Sequence, residues 1–270
     1  MILTQQQLNH YETFGFVAFR QLLSPDEMDK FANEFDSELD SWLPKGVHEG
    51  KTRHYGTLMD TNTPFSSTLM HDPRIAGVAE QLMGTRVLGV AIGGSYHVGD
   101  THWHADAKNL DYKAVKFTTY FDRLDATNGA LRVIPGSHRE PLWSMIQRDT
   151  RASFGVEPDE MPAYVFETEP GDVLAFNMPL WHGAFHGGNR RRMCEIGFYE
   201  EPTTEEARLA VREQMERNQR MFAETRATYP GQQLYPEFWR SIDNETHQRW
   251  IRWMADEEVL DTPTMERRKA

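Results

Sequence analysis

The sequence predicts an α+β chain, mainly β with flanking helices, in which an antiparallel jelly-roll barrel is braced by N- and C-terminal helices. Three observations carry this. The middle of the chain is a series of short β-rich runs separated by turn signals, without regular intervening helices, which favours antiparallel pairing over a doubly wound parallel sheet. Both ends instead show three- and four-residue apolar spacing with capping residues. Finally, 39% hydrophobic residues, including fifteen Phe and seven Trp, give 270 residues enough material for one buried core.

In chain order, Thr4 and Gln7 form a capping-box pair ahead of Leu8, Tyr11 and Phe14, with Gly15 placed to end a first helix. A brief strand follows at Phe16–Phe19. Ser24-Pro25-Asp26-Glu27 caps a second helix whose apolar face is Met28, Phe31, Phe35, Leu39 and Trp42, ended by Pro44 and Gly46. Periodicity fades over 45–67, apart from a short strand at His54–Leu58. Asp72-Pro73 opens another helix, with Ile75, Val78 and Leu82 inward and Gly84 as its stop. Strands are then predicted at 87–92, 116–121, 131–134, 163–167, 173–176 and 195–199. After Pro202, Thr203 and Glu206 form a second capping-box pair before a charged helix, and Glu237–Leu260 carries Trp239, Trp250, Trp253 and Met254 to brace the outside of the barrel. One domain is expected over 1–270: a helical region with a loop at 1–86, the jelly-roll core at 87–200 and C-terminal helices at 201–270.

A net charge of −12 argues against nucleic-acid or anionic-membrane partners, both of which call for a basic face, and leaves a small-molecule substrate as the expected partner. The single Cys194 excludes an internal disulfide and suits a reducing compartment. With neither a secretory signal nor a run of about 20 apolar residues, a cytoplasmic location is expected.

The chemistry centres on His102-Trp103-His104-Ala105-Asp106. Side chains alternate along a strand, so His104 and Asp106, two apart, face one way. A histidine from a distant strand would complete a two-histidine, one-carboxylate triad for Fe(II). His138, His182 and His186 are the candidates. His182 fits best, ending a run in which the turn at Gly171-Asp172 launches a strand; His138 sits in a turn, and His186 lies in a glycine-rich loop that faces the open side of the site. Arg190-Arg191-Arg192 follows, and Arg192 leads into the run Met193–Tyr199. An inward guanidinium there calls for an anion, which a dicarboxylate cosubstrate supplies.

With these residues assembled, the chain resembles the phytanoyl-CoA dioxygenase family of iron(II)- and 2-oxoglutarate-dependent oxygenases. The likeness rests on Trp103-His104-Ala105-Asp106, on Asn128-Gly129-Ala130-Leu131-Arg132-Val133-Ile134-Pro135-Gly136-Ser137-His138, on Pro170-Gly171-Asp172-Val173 leading to Trp181-His182-Gly183-Ala184 and Arg192, and on the opening from Leu8 to Glu27. It implies a double-stranded β-helix of the cupin-like type and three iron ligands, His104, Asp106 and His182. It also implies that Arg192 pairs with the distal carboxylate of 2-oxoglutarate and that Thr118 lines its pocket. Ala184 stands where the family often has a serine. Lys51, Arg53 and Ser95 are candidates for the other end of the cosubstrate, and His102, Trp103, Tyr96 and His186 for substrate contacts. Fe(II), 2-oxoglutarate and O2 are the implied cofactor and cosubstrates; Asp106, where related halogenases have Ala or Gly, points to hydroxylation or a related oxidation. A CoA-sized substrate would want a basic rim, for which Lys45, Lys51, Arg53, Lys108, Lys113, Arg190 and Arg191 are available. Two other readings suit the same residues: a metal-dependent hydrolase on a cupin-like barrel, supported by zinc alone, and a non-catalytic barrel that binds a small ligand.

Overall fold

A computed structural model describes residues 1–43, 45–107, 110–146, 149–226 and 232–261. Pro44 and Lys108 lie outside the described residues. The elements are α1 (Gln5–Phe14), β1 (Phe16–Phe19), α2 (Pro25–Ser41), β2 (His54–Thr57), α3 (Pro64–Leu69), α4 (Ala76–Met83), β3 (Val87–His97), β4 (Thr101–His104), β5 (Ala114–Tyr120), β6 (Leu131–Val133), α5 (Leu142–Met145), α6 (Thr150–Phe154), β7 (Tyr164–Phe166), β8 (Val173–Asn177), β9 (His182–Ala184), β10 (Arg191–Glu200), α7 (Glu205–Met221), α8 (Glu237–Arg240) and α9 (Glu245–Asp256).

The strands form two antiparallel sheets, one of order β1-β8-β5-β10-β3-β2 and one of order β4-β9-β6-β7. Helix covers 36% of the described residues and strand 22%, so the flanking helices outweigh the β framework that they brace. The larger sheet takes β1 and β2 from the first 86 residues, because β1 pairs with β8 and β2 with β3. Its outer face packs on the helices through Phe31, Phe35, Leu39, Cys194, Ile196 and Phe198, all buried in one apolar cluster. Both predicted capping boxes near the N-terminus form, Thr4 with Gln7 and Ser24 with Glu27. No described helix is long and apolar enough to cross a membrane.

Several details depart from the sequence reading, each for a local reason. β3 runs on through Gly93-Gly94 to His97 instead of stopping at Ile92. These glycines do not break the strand; they admit neighbours, since a Cβ on Gly94 would lie 2.6 Å from the Phe35 ring. α4 begins at Ala76, not at Pro73, because the Asp72 carboxylate is held by Arg74 and the Asp72 carbonyl instead accepts from Ile75 and Ala76 in a turn. The cap of α7 is Thr204, one residue beyond Thr203, and it accepts from the Ala207 N–H. The last helical stretch divides at Asn244, whose side chain caps α9. α3 was not anticipated; its exposed N–H groups are met by the Glu34 carboxylate, a partner 31 residues away.

Candidate active site

β4 and β9 are paired with His104 opposite His182, which places the two imidazoles side by side at 4.2 Å between ring centres. Asp106 lies just past the end of β4, where its backbone N–H donates to the Met178 carbonyl at 2.9 Å. Its Oδ1 is 3.9 Å from His104 Nε2 and its Oδ2 is 3.6 Å from His182 Nε2. All three donor groups fall within 4.8 Å of one another. Both histidines use Nδ1 in the same way, against the carbonyl two residues earlier: His104 on His102 and His182 on Leu180, each at 2.8 Å. A bond donated by Nδ1 fixes the tautomer and leaves a lone pair on Nε2, which is what a metal requires. Burial pushes His182 down to about 3, so its ring is neutral at physiological pH. Two imidazole nitrogens and a carboxylate gathered on one side of a cavity fit a divalent transition metal with open positions.

A lysine stands beside this triad. Lys116 of β5 bridges two carboxylates, with Nζ 2.8 Å from Asp106 Oδ2 and 2.8 Å from Glu195 Oε2. Burial would raise the Asp106 carboxyl, but the Lys116 ammonium beside it holds it well below the usual carboxylate range. The same two carboxylates raise Lys116 above an ordinary lysine in spite of its burial.

The triad opens onto a cavity of about 400 Å³ between the sheets. Strand parity decides which side chains reach it. Along β10, Arg191, Met193, Glu195, Gly197 and Tyr199 line the cavity. Arg192 faces the other way, with Nη1 2.8 Å from Asp36 and Nη2 2.7 Å from Asp122. The expectation for Arg192 is therefore corrected by one residue: Arg192 is a structural ion-pair centre, and the β10 arginine that lines the cavity is Arg191. Arg191 is buried, and its Nε and Nη1 have no hydrogen-bond partner. Its side chain passes Gly129 and Gly187, at either of which a Cβ would collide with Nη1. Gly129 also sits at φ +99°, a conformation that L side chains rarely adopt.

Other expectations divide along the same lines. Thr118 lines the cavity, as do Ala184 and Arg53. Lys51 pairs with Glu49 at the surface, and Ser95 is buried away from the cavity lining. None of the four anticipated substrate contacts lines the cavity. Tyr96 turns toward α2 and donates to Asp36; Trp103 is fully buried, donating to the Pro158 carbonyl; His102 is exposed; His186 pairs with Asp159 at 3.3 Å. In each case the neighbour on the opposite face of the strand, or a distant element, takes the place. His138 is structural, held against the Glu12 carbonyl. Among the described cations of the expected basic rim, Lys45 and Lys51 pair with Glu49 and Arg190 lies near Asp36 and Asp40, whereas Arg53 and Arg191 line the cavity.

Four cavity groups escaped the sequence reading. His97 sits opposite Arg191 across the β3–β10 ladder, with Nδ1 3.4 Å from Thr101 Oγ1 and Nε2 unpartnered. Burial, then Arg53 and Arg191, holds it neutral. Only a correct end for β3 would have exposed it. Lys116 and Glu195 read as ordinary strand charges, and their parity with Thr118 and Arg191 was the available signal. α7 supplies Gln214, Arg217, Asn218 and Met221 to the cavity, so this helix closes the site as well as bracing the barrel.

Comparison with known proteins agrees with this architecture. Curated relatives include the multifunctional dioxygenase AusE of Aspergillus calidoustus, 21% identical over 64% of this chain and 64% of the relative. The ectoine dioxygenase of Streptomyces avermitilis is 24% identical over 51% of this chain and 52% of the relative. The chain thus spans between about half and two thirds of these relatives' length. Among solved structures, HygX from Streptomyces hygroscopicus with nickel and 2-oxoglutarate bound superposes with a TM-score of 0.60 at 17% identity, covering 76% of this chain and 90% of that one. AviO1 from Streptomyces viridochromogenes Tue57 gives 0.59 at 19% identity, covering 74% and 96%. At such identities the structural likeness speaks for the fold. The family model for phytanoyl-CoA dioxygenase (PhyH) matches residues 11–194, more than half of the chain, and the chain belongs to that family.

Proposed function

We propose that the protein is an iron(II)- and 2-oxoglutarate-dependent dioxygenase that hydroxylates, or otherwise oxidises, an unactivated C–H bond of a small molecule, with release of succinate and CO2. The observation that carries this reading is the buried Arg191 guanidinium, whose Nε and Nη1 have no hydrogen-bond partner among the described residues, in the same cavity as the His104, Asp106 and His182 donors. A buried cation without a counter-charge is costly, and a dicarboxylate that reaches from the metal to Arg191 repays that cost. The ectoine and AusE relatives, both named dioxygenases, point the same way.

In this reading His104, Asp106 and His182 hold Fe(II), which when bound supplies the oxidising chemistry that no side chain possesses. Arg191 binds the distal carboxylate of 2-oxoglutarate. His97 lines the same cavity and supports it: in the tautomer that carries its proton on Nε2, with Nδ1 accepting from Thr101 Oγ1, the ring offers a second donor. Thr118 and Arg53 complete the polar wall. Lys116 offsets the charge of Asp106 and Glu195 and keeps the carboxylate in place. α7 covers the opening and limits water access. The buried thiol of Cys194 and the lack of any disulfide suit the cytoplasm.

The test is 2-oxoglutarate turnover. Fe(II)-loaded protein is expected to release succinate when a panel of small acids, amines, phosphonates and acyl-CoAs is supplied, and Zn(II)-loaded protein to release none. Activity with zinc alone, without consumption of 2-oxoglutarate, would establish the hydrolase reading instead.

A further inference from the structure

We propose that the substrate is a small molecule bearing a carboxylate or phosphonate, and that Arg217 of α7 holds this anion beside the metal position. The proposal rests on the oxygenase reading above and goes on to name the substrate class. In this acidic chain most arginines meet a carboxylate, as Arg74 does with Glu27 and Asp72, and Arg208 with Glu205 and Glu257. Arg217 does not. Among the described residues its hydrogen-bond partner is the backbone carbonyl of Asp106, at 3.0 Å from Nη2, and no carboxylate lies within ion-pair distance. Four of its five N–H donors therefore remain for a ligand.

Its neighbours show that this is selective. Gln214, Arg217, Asn218 and Met221 share the cavity face of α7 at helical spacing. Gln214 donates to Asn218, which donates to the Tyr199 hydroxyl at 2.7 Å, so those two side chains are committed to fixing the helix on the barrel. Arg217 is the polar group of this face left for another molecule. Because it touches the backbone of a metal ligand, an anion on its guanidinium is held next to the metal position.

The charge of the cavity asks for the same thing. Setting aside Arg53, which has a partner of its own, the described lining carries three cations, Lys116, Arg191 and Arg217, against two carboxylates, Asp106 and Glu195. Fe(II) and the 2-oxoglutarate dianion cancel each other, so the excess of positive charge persists in the loaded enzyme. Arg191 can serve one distal carboxylate; the second free guanidinium calls for a second anion, and a planar fork suits carboxylate or phosphonate. A cavity of about 400 Å³ is at the small end of ligand pockets, roughly 300–1,000 Å³, so the part of the substrate taken in beside 2-oxoglutarate is small.

The experiment uses the full-length protein with Fe(II) and 2-oxoglutarate under anaerobic conditions, and follows the perturbation of the iron–2-oxoglutarate charge-transfer band by matched probes. These are benzoate, cyclohexanecarboxylate, L-proline and phenylphosphonate, set against benzamide, cyclohexanecarboxamide and L-prolinamide. At least one acid is expected to bind about tenfold or more tighter than its amide, and Arg217→Gln to erase that preference while leaving 2-oxoglutarate affinity within about twofold. Response to a carboxylate or to the phosphonate distinguishes the two anion sources. Equal binding of acid and amide, response to amides alone, or no response to any acid overturns the proposal. So does an Arg217→Gln variant that loses 2-oxoglutarate affinity as strongly as Arg191→Gln, because Arg217 would then serve the cosubstrate. If the wild-type protein forms no charge-transfer band, the oxygenase reading itself fails, a result separate from all of these.

Discussion

The ammonium of Lys116 lies 2.8 Å from Asp106 Oδ2, so one buried cation is shared between a metal-binding carboxylate and Glu195 on the facing strand. Replacing Lys116 by Met keeps the aliphatic stem and leaves two carboxylates close together without a counter-charge. Metal-free Lys116→Met is expected to lose roughly 3–5 kcal/mol of unfolding free energy, because breaking a buried pair strands the remaining charge. A divalent ion should then stabilise the variant more than the wild type, since the ion supplies the missing positive charge. Urea unfolding with and without Ni(II) measures both effects; a loss of under about 1 kcal/mol would show that Lys116 is dispensable to this arrangement.

Arg191 and Arg192 should behave oppositely although they are adjacent. Arg191→Gln removes charge-assisted bonds worth roughly 1.5–3 kcal/mol, which corresponds to a 2-oxoglutarate Kd raised about 10- to 100-fold. Arg192→Ala breaks the Asp36 and Asp122 pairs at the edge of α2 and should cost about 1–2 kcal/mol of stability, with little change in 2-oxoglutarate affinity. Gly187→Ala should weaken 2-oxoglutarate binding too and cost stability besides, because its Cβ meets both the Arg191 guanidinium and the Gly99 backbone carbonyl. Calorimetric titration of 2-oxoglutarate into the Ni(II)-loaded variants makes the comparison, and equal affinities for the two arginine variants would contradict it.

Acid sensitivity is expected from a histidine pair remote from the metal. His247 Nε2 donates to the Trp239 carbonyl at 2.6 Å, so with both rings neutral its Nδ1 accepts from His71 Nε2, also at 2.6 Å. Burial pushes each of them down to about 4. Unfolded histidines titrate near 6.5. Between these values the unfolded chain binds protons that the native state refuses, so stability is full above pH 6.5 and is lost as pH falls toward 4. The slope is at most ~1.4 kcal/mol per pH unit for each histidine. Urea midpoints between pH 7.5 and 5 should fall in this way, and His71→Phe, which keeps the stacking on Trp250, should flatten the decline. A wild-type midpoint independent of pH over that range would contradict it.

The grouping of His104, Asp106 and His182 was legible because Asp106 follows His104 by two residues at the end of β4 and His182 follows a strand launched by a strong turn, although His182 opens β9 and does not end β8. The two N-terminal capping boxes and most strands were legible as well, since caps and period-two runs are local. What it lost were questions of parity and end position. Arg191 and Arg192 cannot be told apart until the register of β10 against β3 is known, and His97 was hidden because Gly93-Gly94 read as a strand end. The cavity role of α7 was illegible for a different reason. Its spacing marks an amphipathic helix, but nothing local says that Arg217 should land on the carbonyl of Asp106, 111 residues away in sequence.

The central claim is that His104, Asp106 and His182 form one metal centre that 2-oxoglutarate completes. The most direct measurement is the charge-transfer absorption that develops when Fe(II) and 2-oxoglutarate are added anaerobically to the wild-type protein and to Asp106→Ala. The account predicts a saturable band in the wild type, one Fe(II) per chain at its end point, and its loss in Asp106→Ala together with substrate-dependent succinate release. A band of equal intensity and equal iron affinity in Asp106→Ala would contradict it and remove Asp106 from the centre.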